Sequence, residues 1–171
     1  MHVFKSAFEK TGYSTYQLSI LVILRVLIGW HFLYEGIAKM LNPNWSSAAF
    51  LLESKWIFSG IAESIVASPA VLQGVDFLNI WGLTAIGLGL ICGFFTRWAA
   101  ISGIGLLVIY YLMNPPFIGI EYSMPTEGSY LIVNKNLIEL FALWVIVLFP
   151  TSEKIGIDRL IAKMFTNSEV E

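Results

Sequence analysis

Charge is what this sequence has least of. Only 13% of its 171 residues are Asp, Glu, Lys or Arg, against about 25% in ordinary soluble domains. A chain that is 57% hydrophobic leaves too little polar surface to cover a soluble core of this size. The basic residues form no stripe and the net charge is -2, which sets nucleic acid aside as a partner. Cysteine occurs once, as Cys92, so the chain cannot build an intrachain disulfide, a C-x-x-C redox pair or a cysteine-based zinc site. In the apolar run 89–93 that thiol is expected to act as a small buried hydrophobe. Histidine occurs twice, as His2 and His31. One histidine within the apolar segments excludes a haem held by two axial histidines of this chain, and no haem or metal is expected. No P-loop, H-E-x-x-H or G-x-S-x-G motif is present. A cleavable leader does not fit either. The apolar stretch after Lys5 and Lys10 is long, carries Arg25, His31 and Glu35, and is followed by no small-x-small site.

What the chain does have is long apolar runs. A spanning helix needs about 20 mostly apolar residues, and four segments approach that: 16–40, 77–95, 98–113 and 130–149. Asn114-Pro115-Pro116 stops the third and Pro150 the fourth, because proline lacks an amide hydrogen and clashes with the preceding turn. The expected fold is all-α, a single domain over 1–171, forming an integral membrane four-helix bundle. Thr96-Arg97 reads as a tight link that makes spans two and three antiparallel neighbours. The long link 41–76 is amphipathic, with Phe50, Leu51, Trp56, Ile57 and Ile61 set among Glu53, Lys55 and Glu63. It is expected to form one or two short interfacial helices between the first two spans.

Charge bias orients this arrangement. Lys5, Lys10, Arg97, Lys154, Arg159 and Lys163 fall on one side of a four-span topology. Glu53, Glu63, Asp76, Glu121 and Glu127 fall on the other. The positive-inside rule then places both termini in the cytoplasm of a multi-pass cell-membrane protein. The segment 152–165 reads as an amphipathic helix on the cytoplasmic lipid surface. Gly82, Gly87, Gly89, Gly93, Gly103 and Gly105 read as small residues for close helix approach, and Trp30 and Trp144 as core.

Ionisable groups inside a span are costly and therefore mark a candidate site. Span one carries Arg25, His31, Glu35 and Lys39. At about 100° per residue the last three form one stripe, with Arg25 on the edge of the same arc. Span four opens with Asn134, Lys135, Asn136 and Glu139, and span two with Asp76 and Asn79. Topology brings these groups to the same end. The expected site is a polar pocket in which His31, Glu35 and Glu139 handle protons, since histidine titrates near pH 6.5 when unperturbed. Lys39 and Lys135 would hold an anion, with Arg25, Asn136, Asn44 and Trp45 completing the substrate-binding set. The alternative is structural: Glu35 pairs with Lys39, Lys135 or Arg25, Glu139 pairs with Lys135, and no chemistry follows.

The stretch Leu24-Arg25-Val26-Leu27-Ile28-Gly29-Trp30-His31-Phe32-Leu33-Tyr34-Glu35-Gly36-Ile37-Ala38-Lys39 resembles the opening helix of the DoxX/DoxD family. So does its continuation Asn42-Pro43-Asn44-Trp45, and the Asn134-to-Glu139 start of the fourth span fits as well. The resemblance implies a four-helix membrane protein. Its relatives include DoxD, the membrane subunit of a thiosulfate:quinone oxidoreductase, which works with a second subunit, DoxA. It therefore implies quinone as electron acceptor and a small sulfur compound or similar anion as substrate. The lipid bilayer is the expected partner. A second redox subunit and a homo-oligomer stay open, as do two other functions: a non-catalytic scaffold for a redox complex, and a component of a small-solute transporter.

Overall fold

The computed structural model describes residues 12–55, 57–117, 119 and 131–167, without the side chains of 165–167. Among these the chain is all-helical: α1 Thr15–Leu41, α2 Ala48–Leu52, α3 Ser59–Ala67, α4 Pro69–Cys92, α5 Thr96–Met113, α6 Lys135–Leu148 and α7 Ile157–Asn167. Lys5, Lys10, Trp56, Glu121, Glu127 and the expected start of the fourth span at Tyr130 lie outside the described residues, as does the side chain of Phe165.

The helix boundaries follow local chemistry. Ser14 and Gln17 form a capping box that satisfies two free amides at the start of α1. Pro43 follows the C-cap Asn42 and disfavours helical geometry there, so Asn42 is extended and α1 ends. Helix α4 begins at Pro69, eight residues before the start expected at 77. Proline is tolerated in the first turn, where its missing N–H has no partner to lose. Gln73, expected in the link, and Asp76, expected at the boundary of link and span, both belong to this helix. The turn between α4 and α5 is 93–95, not Thr96-Arg97. Gly93 adopts a left-handed φ of 66° and Phe95 one of 46°.

Helices α1, α4 and α5 are each long and apolar enough to cross a membrane. The fourth segment is a correction to the expected range 130–149, because its helix covers only Lys135–Leu148. At 1.5 Å per residue it is about 21 Å long. Helices α1, α4, α5 and α6 pack in a closed cycle: α1 on α4, α4 on α5, α5 on α6, and α6 back on α1. Ile28, Phe32, Leu83, Ile86, Leu90, Leu107, Leu140 and Leu143 fill the interior. The outside is apolar too, with Leu27, Leu78, Trp98, Phe141 and others exposed. Trp30 and Trp144 belong to this outer surface rather than to the core, and Cys92 is exposed rather than buried.

Glycine contacts are selective. A Cβ on Gly87 would come within 2.7 Å of the Gly29 carbonyl oxygen and of Leu33 Cα, so α1 and α4 meet backbone to backbone. Gly82 and Gly105, expected at such contacts, have nothing within 4 Å of a Cβ position.

Candidate functional site

Four helices supply a cavity of about 600 Å³ at the end of the cycle where α1 and α5 finish and α6 begins. That volume lies within the roughly 300–1,000 Å³ of small-molecule sites. His31 and Glu35 stand one turn apart on α1 and face it, with Lys39 one turn further on. From α6 come Lys135, Asn136 and Glu139, from α4 Asn79 and Leu83, and from α5 Leu107 and Tyr110. Asn134 caps α6 by accepting from the Leu137 amide at 3.0 Å, which fixes the first turn carrying the polar residues.

The charged groups are paired. His31 Nδ1 lies 2.7 Å from Glu139 Oε1 across the seam between α1 and α6. The Lys39 ammonium donates to the Glu35 carboxylate one turn away, and sits 5.6 Å from the Trp45 ring centre. The two acids differ in access: the Glu139 side chain is 12% exposed and that of Glu35 44%. Their partners reverse the order, His31 being 41% exposed and Lys39 18%, so each pair has one shielded and one open member. Opposite this pair, at the seam between α4 and α5, Asn79 Nδ2 donates to Tyr110 Oη at 2.6 Å.

The link after α1 roofs the cavity. Asn42, Asn44, Trp45, Ser46, Ser47 and Phe50 all line it. Asp76 Oδ1 accepts from the Ser47 amide at 2.7 Å and from the Ser47 hydroxyl at 2.5 Å. Ser54 Oγ donates to the Met113 carbonyl at 3.0 Å, and Asn114 Nδ2 donates to the Phe50 carbonyl at 3.3 Å. The roof is thus tied to α4 and to the end of α5.

Eight of the nine expected site residues come together here: His31, Glu35, Glu139, Lys39, Lys135, Asn136, Asn44 and Trp45. Arg25 does not line the cavity. It is fully buried towards the opposite end, where Nη1 donates to Thr151 Oγ1 and Nη2 to the Ile155 carbonyl, both at 2.9 Å. Nearby, Asp158 caps α5 by accepting from the Phe95 amide at 2.8 Å and the Thr96 amide at 3.3 Å. Arg25 therefore ties α1 to the segment leading into α7. Tyr110 and the roof serine Ser47 were missed. Tyr110 was findable, because a hydroxyl inside an apolar run near its polar end calls for a partner. Ser47 carried no such mark. Among the described residues no three His, Cys, Asp or Glu side chains cluster closely enough to hold a metal ion.

Residues 20–114 match the family model named DoxX. The chain belongs to the DoxX family. No curated protein and no solved structure matches it. Together with the three helices long enough to cross a membrane, family membership makes this a DoxX membrane protein. The DoxX match runs from α1 to the end of α5. It includes His31, Glu35, Lys39, the roof, Asn79 and Tyr110. Helix α6, with Lys135, Asn136 and Glu139, lies beyond the matched stretch.

Proposed function

We propose that this DoxX protein is the membrane subunit of a quinone-linked oxidoreductase. It acts on a small sulfur compound or similar anion at the cavity of α1, α4, α5 and α6. The observation that carries the reading is the His31–Glu139 pair, a histidine and a carboxylate 2.7 Å apart at a ligand-sized cavity. Quinone reduction takes two electrons and two protons, and this pair together with Glu35 supplies a proton route. A substrate anion would meet Lys39 and Lys135 at the same cavity, Lys39 by exchanging its contact with Glu35 for the anion. On this reading α6 is the fourth span of a four-helix membrane bundle, supported by its outward Ile138, Phe141, Trp144 and Leu148. The short helices α2 and α3 lie at the membrane interface, and both termini face the cytoplasm of a cell-membrane protein. A second redox subunit supplies what one chain lacks.

The test is substrate-dependent quinone reduction in membranes carrying the protein. Glu35→Gln and Glu139→Gln each abolish it while the protein still folds and inserts. Full activity in both variants would remove the proton role.

A second reading, a scaffold for a redox complex, is favoured by the pairing itself: Glu139 with His31 ties α6 to α1, and Glu35 with Lys39 closes a pair within α1. It predicts co-purification of a soluble redox protein and no activity from this chain alone. A transporter fits less well. The polar lining stops at the level of His31, and the one charged group of α1 beyond it, Arg25, is bonded into the structure.

A further inference from the structure

The cavity has two polar poles on opposite sides. In the cycle of helices, the seam between α1 and α6 lies across from the seam between α4 and α5. His31 and Glu139 bridge the first and Asn79 and Tyr110 the second, and all four line the same cavity. One turn deeper, Leu83 and Leu107 join Phe32 in an apolar floor, each of them buried.

The second pole is incomplete as it stands. Asn79 Oδ1 is buried and has no hydrogen-bond partner. Turning the amide over would let Tyr110 donate to that oxygen, but it would then leave the amide N–H groups unpaired instead. Either way Asn79 keeps an unused polar group at the cavity, and an unpaired buried polar group is costly. Neither Asn79 nor Tyr110 is charged in the neutral range, so this pole suits an uncharged oxygen function. The first pole offers a proton donor and acceptor. The charges at the mouth compensate: Lys39 and Lys135 against Glu35 and Glu139.

We infer that Asn79 and Tyr110 form a hydrogen-bonding subsite for one edge of an uncharged, flat ring that carries oxygen functions on opposite edges, the other edge meeting His31 and Glu139. This rests on the proposed quinone-linked function and gives the electron acceptor its place, with Asn79 and Tyr110 as specificity-determining contacts.

The experiment is a binding titration of the full-length protein in lipid nanodiscs with two probes: tetramethyl-1,4-hydroquinone, and the tetramethylphenol that lacks its second oxygen. The wild type is expected to prefer the hydroquinone by about tenfold, the worth of one hydrogen bond at a buried site. Tyr110→Phe and Asn79→Leu each shrink that preference, and the double variant removes it while phenol affinity stays within about twofold. The retained phenol affinity shows that the variants have kept their cavity. Absence of preference in the wild type, or an unchanged preference in the double variant, overturns the subsite. The two levels separate cleanly. An unchanged preference in the double variant, with quinone reduction still lost in Glu139→Gln, overturns the subsite and keeps the proposed activity. The expected preference, with no quinone reduction by any preparation, keeps the ring subsite and overturns the activity.

Discussion

Arg25 and His31 are six residues apart on one helix and share one arc of it, yet they belong to different ends of the molecule. Six residues of α-helix rise about 9 Å. Angular arithmetic places Arg25 on the polar stripe, but depth along the axis decides its partners. Those partners, Thr151 and the Ile155 carbonyl, lie more than a hundred residues downstream and carry no pattern that points back to Arg25. Of the pairings at the cavity, Glu35 with Lys39 was legible as an i, i+4 pair and His31 with Glu139 was not. Lys135 and Glu139 stand four apart and read as partners, but Glu139 lies against His31. At this scale the account predicts a specific loss. Thr151→Val leaves a guanidinium N–H unpaired at a buried position and costs about 2 kcal/mol. The purified protein should melt at a lower temperature while the proposed quinone reduction, per folded molecule, stays unchanged. A drop in activity without a drop in stability would place Thr151 and Arg25 in the chemistry instead.

Among elements, α1 and α4 form the closest contact, through backbone. Gly29 and Gly36 of α1 and Gly87 of α4 leave no room for a side chain. The expectation that small residues mark helix contacts was right in kind and wrong in place for two positions. Gly82 and Gly105 stand against open space. Glycine content alone does not say which face of a helix is turned inward, and α4 and α5 carry apolar residues on every face, so periodicity does not say it either. Gly87→Ala should therefore destabilise by about 1–3 kcal/mol through forced separation of α1 and α4, whereas Gly82→Ala should stay within about 0.5 kcal/mol. Thermal melting of the two purified variants decides it. Equal effects would mean that the α1–α4 contact is not as close as described. The early start of α4 has the same lesson. Gln73 looks like a link residue and Asp76 like a boundary one in one dimension, yet Asp76 sits on a helix and holds the roof through Ser47.

For the molecule as a whole, rarity of charge was the most legible feature. In a chain where few residues ionise, those within apolar runs stand out, and the order of the spans brings His31 and Glu139 back to one level across 108 positions. The cavity's acids, lysines and Asn136 were therefore readable as a group. Asn79 and the roof residues Asn44 and Trp45 were legible at that end too, whereas Ser47, the Asn79–Tyr110 bond and the true length of α6 were not, because each depends on packing between elements rather than on the pattern within one. On the proposed function this cavity takes a redox ligand between the His31–Glu139 and Asn79–Tyr110 pairs. The most direct measurement is an experimental structure of the protein purified in lipid and supplied with tetramethyl-1,4-benzoquinone. The account predicts ring-shaped density inside the cavity, with one oxygen within hydrogen-bond distance of His31 or Glu139 and the other near Tyr110 or Asn79. A cavity empty of ligand at saturating probe, with Glu35–Lys39 and His31–Glu139 still fully paired, would contradict it and leave a structural scaffold.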